Sequence, residues 1–308
     1  MNIARTIYVV TPVRNGAATI RKTIDSVLAQ FRQGQLFYHV QDGGSSDGTI
    51  DILRSVAGAI ADFPEAYPNV TFSWESSADS GMYDAINKAL NGLDIPGDAF
   101  VGWLNADDLL ADGAVQAVEA AAKIYGVEWV YGLTSVIALG GDEHVKQELY
   151  PRALLAAGIA DGRFWRFFQQ EGCFFRKRLW DAAGGCDSSF KLAGDWDLWR
   201  NMADRAEPVF IPQKLGSFVV REGQLSADMA CYQAEISHRL ACKRRRWRAA
   251  QLACFSALRS PILNLETGII VRKGVPVKDR MRCLAEVLSV RKAISKFKSV
   301  FLQCSRLG

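Results

Sequence analysis

No stretch of the 308-residue chain reaches the roughly 18–20 uninterrupted apolar residues that a membrane-spanning helix needs, so a spanning protein is excluded. Histidine is scarce, with three residues far apart. None of the seven cysteines (Cys173, Cys186, Cys231, Cys242, Cys254, Cys283, Cys304) stands in a C-x-x-C pair, so the spacing of a zinc site is missing. An odd, scattered cysteine count suits reduced thiols better than a disulfide frame. The first ten residues run straight into a strand-like pattern, without the apolar core and small-residue cleavage site of a signal peptide, and the expectation is a cytoplasmic location. Gly-rich phosphate fingerprints are absent as well. There is no G-x-x-x-x-G-K-[ST], and Thr11-Pro12-Val13-Arg14-Asn15-Gly16 follows the first strand where a dinucleotide fold would carry G-x-G-x-x-G.

What the chain does have is core-forming surface: 49% apolar residues, with 8 Trp, 16 Phe and 8 Tyr, enough to offset chain entropy and exclude disorder as the main state. The length fits one large domain with an extension. Charge is divided unevenly. Residues 1–230 carry 20 Lys and Arg against 29 Asp and Glu, whereas residues 231–308 carry 17 against 4.

Strand-like and helix-like patterns alternate along the first half. Thr6–Thr11 reads as a buried strand closed by Pro12, and Ile20, Ile24, Val27 and Leu28 recur at helical spacing. Leu36–Gln41 is a second strand, and Ile50, Leu53 and Val56 give the following helix its apolar face. Thr71–Trp74, Ala99–Leu104 and Trp129–Tyr131 continue as strands, with helices at Tyr83–Leu90 and Ala114–Ile124. Such alternation predicts an α/β fold, a mostly parallel sheet with helices on both faces, whose ligands bind beyond the carboxyl ends of the strands. Residues 150–225 are less regular and rich in aromatics, suggesting a lid or acceptor-side region.

Three loops carry the candidate chemistry. Asp42-Gly43-Gly44-Ser45-Ser46-Asp47-Gly48-Thr49 joins a strand to a helix start; it can bring backbone and a helix N-terminus to an anion, or it is a tight turn capped by Asp47 or Thr49. Asn105-Ala106-Asp107-Asp108 follows an apolar strand. Adjacent carboxylates there repel each other unless a hard divalent cation neutralises them, although an Asx turn that caps the next helix accounts for them too. Asp195 and Asp197 stand at the start of a helix and point in different directions, so they do not share one task; capping and dipole stabilisation is the alternative for both.

Taken together these segments resemble the inverting nucleotide-sugar glycosyltransferases of family two, which have the Rossmann-like A-type glycosyltransferase fold. The resemblance runs through TPVRNGAATIRKTIDSVLAQ at 11–30, the DGGSSDGT loop, DSGMYDAINKAL at 79–90, LNADD at 104–108, QEGCFFRKRLWDAAGG at 170–185, AGDWDLW at 193–199 and REGQLS at 221–226, in family order. It implies that Thr11, Pro12 and Asp42 line a nucleoside pocket, that Asp79 borders the nucleotide sugar, and that Asp195 is the catalytic base. Asp107 falls on the second acidic position of the family's metal motif, which holds a divalent cation, Mn2+ or Mg2+, on the donor diphosphate. Asn105 stands where the family has the first Asp of that motif, so metal affinity or choice can differ, and Asp108 is the further metal-site candidate, compensating from behind the ligands. Arg221 stands where relatives often have His, in a segment that approaches the diphosphate. The implied activity is transfer of a sugar from a UDP- or GDP-linked donor to a saccharide or lipid-linked acceptor, in making a surface polysaccharide or glycolipid. The alternatives are a sugar nucleotidyltransferase or a catalytically silent sugar-nucleotide-binding scaffold at a membrane.

The expected division is a catalytic domain over 1–225 and a basic, mainly helical extension over 226–308. Lys243-Arg244-Arg245-Arg246-Trp247-Arg248 is densely cationic. Residues 284–302 set Leu284, Val287, Leu288, Ile294, Phe297 and Phe301 at helix-like spacing among Arg291, Lys292, Lys296 and Lys298. A basic amphipathic helix can lie on the inner face of an anionic membrane, or its apolar side can pack on the catalytic domain or a partner subunit. Nucleic acid is not an expected partner, since the rest of the chain is acidic and carries no binding module.

Overall fold

The computed structural model describes residues 7–32, 35–254 and 258–288. Its first half is a succession of strand and helix: β1 (Ile7–Val13), α1 (Ile20–Leu28), β2 (Leu36–Asp42), α2 (Thr49–Asp62), β3 (Val70–Ser76), α3 (Met82–Gly92) and β4 (Phe100–Trp103). A short β5 (Leu109–Leu110), α4 (Ala114–Ala122), β6 (Trp129–Ile137), β7 (Glu143–Lys146) and α5 (Arg152–Ala156) follow. Then come β8 (Cys173–Arg176), α6 (Lys177–Ala183), α7 (Gly194–Ala203) and β9 (Val209–Val219). The extension contributes α8 (Met229–Arg239), α9 (Cys242–Cys254), β10 (Arg259–Leu263) and β11 (Ile270–Gly274).

These strands form one mixed sheet in the order β11-β10-β9-β6-β8-β4-β1-β2-β3, with β5 paired to β9 and β7 to β6. The pairs β1–β2, β1–β4 and β2–β3 are parallel, as are β6–β9 and β9–β10. Strand β8 runs against both its neighbours, β4 and β6. Its amino end therefore lies at the same edge of the sheet as the carboxyl end of β4. Strand β1 continues through Pro12 to Val13, further than its sequence suggests. Pairing with β4 ends at Val10 opposite Trp103, so the missing N–H of Pro12 breaks no bond on that side.

Helices cover both faces because their apolar stripes match the sheet. Ile20, Ile24, Val27 and Leu28 of α1 pack with Leu53 and Val56 of α2 and with α4 against Val9, Val13 and Val40. On the opposite face lie Tyr83, Ile86 and Leu90 of α3 and Leu198, Trp199 and Met202 of α7. Trp199 stacks on Trp103 of β4 at 5.3 Å and 10°, and on Trp129 of β6 at 5.7 Å and 23°. Each such pair contributes about 0.5–1.5 kcal/mol beyond area burial, and together they fix α7 on the sheet.

The extension is joined to this body. Strand β10 lengthens the sheet beside β9, and Ala249 and Ala253 of α9, with Cys283 and Val287, are buried in the main core. Residues 277–288 are helical and bury the Cys283–Val287 side, the packing expected if this helix docks on protein; Ile294, Phe297, Phe301 and the basic residues 291–298 lie outside the described residues. Arg245, in the middle of the cationic run, is fully buried. Its Nε donates to Asp161 Oδ2 at 3.1 Å, while Asp161 Oδ1 accepts the main-chain N–H groups of Arg163 and Phe164, each at 2.9 Å. Removing one partner of such a pair strands a charge in the interior, at about 3–5 kcal/mol. Arg245→Ala should therefore lower the melting temperature steeply, whereas Lys243→Ala and Arg244→Ala, both exposed, should leave it nearly unchanged. Equal effects from all three in thermal unfolding would refute the anchoring role.

Candidate active site

The site forms at the edge where β1, β2 and β4 end and β8 begins. Asp42, the last residue of β2, is buried, and its carboxylate is engaged by the loop that follows. Oδ2 accepts from Gly44 N and Ser45 N at 2.9 Å and from Ser76 Oγ at 2.7 Å, and Oδ1 accepts from Ser45 Oγ at 2.5 Å. Asp79 lies against the same turn: a Cβ on Gly43 would stand 2.3 Å from Asp79 Oδ2, so a side chain there would push that carboxylate aside. Thr11 is turned inward instead, its hydroxyl 3.0 Å from that of Tyr38 inside the sheet, with Pro12 buried beside it.

The anion expected near the start of α2 is supplied by the chain itself. Asp47 Oδ1 accepts from Thr49 N at 3.1 Å and Thr49 Oγ1 at 2.6 Å, and Oδ2 accepts from Ala17 N at 3.0 Å. These bonds, the Thr49 hydroxyl first, hold the Asp47 carboxyl below the usual carboxylate range. The loop after β1 is stapled to the loop after β2 by the same residues.

After β4 the two acidic neighbours diverge. Asp107 is near the surface, where Arg221 Nε donates to its Oδ2 at 2.5 Å and Gln224 Nε2 at 3.2 Å. Asp108 turns into the protein. Its Oδ1 accepts Val219 N–H at 3.0 Å from the end of β9, and its Oδ2 accepts from Asn105 Nδ2 and Gln170 Nε2, both at 3.3 Å. Both oxygens are thus taken up internally; Asp108 holds Asn105 in place from behind, and it offers no free oxygen as a direct metal ligand. Burial, with Glu171 and Asp107 nearby, raises its pKa well above the ordinary value.

Asn105 Oδ1 is a buried acceptor with no protein partner. An orphan amide oxygen two residues from a carboxylate is hard-donor chemistry suited to Mn2+ or Mg2+. Among the described residues no group of three or more His, Cys, Asp or Glu converges into a complete ligand set. The residues present fit a cation held by one or two protein oxygens and otherwise by phosphate and water.

Asp195, at the start of α7, is positioned from two sides. The Tyr83 hydroxyl of α3 lies 2.8 Å from the Leu192 carbonyl and 3.3 Å from Asp195 Oδ1, sharing its proton between them. Glu235 of α8 accepts the main-chain N–H groups of Lys191, Leu192 and Ala193 at 2.9–3.0 Å, tying down the loop that leads into α7. Burial pushes the Asp195 carboxyl up to about 6, against the hydrogen bonds it accepts from Trp196 N and Tyr83. Tyr83, Gln170, Glu171, Gln224 and Glu235 were not singled out from the sequence. Tyr83, Gln170, Glu171 and Gln224 lie inside the segments DSGMYDAINKAL, QEGCFFRKRLWDAAGG and REGQLS, whereas Glu235 lies in none of them.

Asp197 is a bridge and not a cap. It is buried, accepting from Arg200 Nη1 at 2.9 Å and from Arg239 Nε and Nη2 at 3.1 Å, so it locks α7 to α8. Asp197→Asn should lower stability by about 1–3 kcal/mol, since the two arginines retain partial solvent contact, and leave ligand binding intact. An unchanged melting temperature would remove the bridging role.

The glycosyl transferase family 2 model matches residues 8–188, more than half of the chain, and the protein belongs to that family. An uncharacterized glycosyltransferase of Mycobacterium tuberculosis is 29% identical over 215 residues, covering 68% of this chain and 74% of the relative. Among solved structures, S. aureus TarS in complex with UDP-GlcNAc has a TM-score of 0.57 at 15% identity over 80% of this chain and 72% of that one. The mannosyltransferase PcManGT of Pyrobaculum calidifontis, in complex with GDP-Man and Mn2+, has a TM-score of 0.50 at 17% identity over 92% and 86%. The architecture is the A-type glycosyltransferase fold, with a large central sheet flanked by helices.

Proposed function

We propose that this protein is an inverting glycosyltransferase that moves a sugar from a UDP- or GDP-linked donor to a saccharide or lipid-linked acceptor, in the synthesis of a surface polysaccharide or glycolipid. The reading is supported by a cation-suited pair after β4, Asn105 and Asp107, by Arg221 on Asp107, and by a positioned carboxylate, Asp195, whose charge acts on the same buried Glu171 as that of Asp107. Asp195 takes the proton of the acceptor hydroxyl as its oxygen attacks the anomeric carbon; the bond to the diphosphate oxygen breaks on the opposite side, and the configuration inverts. Asp107 and Asn105 would hold the divalent cation, with Asp108 behind them. When bound, the cation supplies positive charge to the departing diphosphate, and Arg221 adds to it. Asp42 and Asp79 border the nucleoside, with Thr11 and Pro12 beneath.

Asp195→Asn should abolish transfer while nucleotide affinity stays within a few-fold, because the base acts on the acceptor. The groups around Asp195 are Tyr83 of α3, Cys186, Glu171, and Tyr232 and Glu235 of α8. With its pKa raised to about 6, the base is protonated on the acid side, so kcat/KM should fall about tenfold per pH unit below about pH 6. A rate independent of pH between 5 and 7 would exclude Asp195 as the base.

Asp107→Ala should remove the Mn2+ or Mg2+ dependence of nucleotide-diphosphate binding and lower turnover by about two orders of magnitude or more. Full activity in excess EDTA would defeat the cation-assisted mechanism.

Contact with the inner face of a membrane is supported by the surface of the extension. Met229, Trp247, Ile269, Ile270, Val271, Val277, Met281 and Leu288 are exposed there, and so are Lys243, Arg244, Lys273 and Lys278. Each basic residue near an anionic surface contributes roughly 1 kcal/mol, and exposed apolar side chains add insertion. The full-length chain should sediment with phosphatidylglycerol vesicles at low salt, and Lys243→Glu with Lys273→Glu and Lys278→Glu should release it. No sedimentation of the unaltered chain at low salt would sink the membrane role.

A further inference from the structure

Glu171 sits immediately before β8, at the edge where the loop after β4 departs. It is 4% exposed, and its Oε2 meets no hydrogen-bond partner. Neighbouring Gln170, 7% exposed, leaves its Oε1 without one too. A buried carboxyl oxygen with no partner is unfavourable, and it stays so until a group with an O–H or N–H arrives.

The backbone here is not free to shift and relieve the deficit. A Cβ on Gly216 of β9 would stand 2.1 Å from the Glu171 carbonyl oxygen, so β9 presses directly on this segment. The charges of Asp195 and Asp107 both act on Glu171; with burial as the larger cause, they push its carboxyl up to about 7. Geometry ties the segment to both ends of the site. Gln170 Nε2 donates to Asp108 Oδ2 at 3.3 Å behind Asn105 and Asp107, and Phe175 of β8 packs edge-on against Trp199 of α7, the helix that begins beside Asp195. In an inverting displacement the transferred ring occupies the space between leaving diphosphate and incoming acceptor oxygen, the space that this segment borders.

We propose that Glu171 Oε2 accepts a hydrogen bond from a ring hydroxyl of the sugar being transferred, and so selects which donor sugar the enzyme accepts. The inference rests on the glycosyl-transfer reading above and adds to it a specificity residue on the donor side. A sugar that presents an equatorial or axial hydroxyl to this oxygen gives the buried atom the partner it lacks, and one that presents hydrogen leaves it bare. Discrimination of this kind is strong because the penalty falls on the protein group as well as on the ligand.

The test measures binding of UDP, GDP, UDP-GlcNAc, UDP-glucose and GDP-mannose to the full-length chain by titration calorimetry with Mn2+, in the wild type, Glu171→Gln and Glu171→Ala. The sugar increment, the affinity of a nucleotide sugar relative to its nucleoside diphosphate, is the quantity read. It should fall about tenfold or more in both variants, while UDP or GDP affinity stays within about twofold. Nucleotide sugars lacking one ring hydroxyl should show the same loss against the wild type at a single ring position, and no further loss there against Glu171→Gln. The wild-type series answers the question even where a variant folds poorly. A retained sugar increment in Glu171→Gln, or a deoxy series that is flat against the wild type, overturns the role of Glu171 while leaving glycosyl transfer standing. A wild-type chain that binds none of the five ligands overturns the glycosyl-transfer reading itself, and this inference with it.

Discussion

The carboxylate of Asp108 is the joint on which the site depends. It has no route to solvent, and it meets its need for donors by drawing on three separate parts of the chain: Val219 at the end of β9, Asn105 in its own loop and Gln170 before β8. A buried carboxylate left with fewer donors is strongly unfavourable, so the three segments come together as one unit. The consequence reaches both functional ends. Asn105 is aimed by this joint, and the segment after Val219 delivers Arg221 and Gln224 to Asp107. Removing Asp108 would disturb the arginine, the amide and the QEG segment at once, although Asp108 itself is turned away from the open side of the site.

Much of the first half was legible in the sequence because local signals and tertiary packing agree there. The helical spacing of Ile20, Ile24, Val27 and Leu28 corresponds to a buried stripe, and the Asp- and Gly-rich loops fall at strand ends. The second half was less legible for specific reasons. Strand β9 contains Pro212 and Gly216 and shifts register twice against β6, which erases any simple alternation. Strand β8 is four residues long and borrows its stability from β4 and β6 on either side, so nothing in CFFR alone marks its direction. Among the site residues, Asp107 and Asp195 stood out by motif. Glu171 and Tyr83 did not, because their roles come from where the fold carries them and not from sequence neighbours.

The cationic run in α9 shows how charge density misleads when taken as a block. Five basic residues that look alike divide by burial: Lys243 and Arg244 face solvent and Arg245 is sealed against Asp161, while Trp247 among them is exposed. The extension thus serves two ends at once. It completes the sheet through β10 and the core through Ala249 and Cys283, and it presents basic and apolar side chains outward.

The reversed direction of β8 bears on the order in which the molecule assembles. Strands β1 to β4 form a parallel unit from sequence-local crossovers, and that unit can condense early. Strand β8 lies between β4 and β6 and cannot take its place until both are present, and β9 must then arrive to supply the donor for Asp108. Such long-range pairings close large loops and come late in folding. The edge that carries Asp107 and Asp195 therefore depends on the longest-range pairings of the sheet, whereas the strand ends that carry Asp42 and Asp79 rest on sequence-local ones.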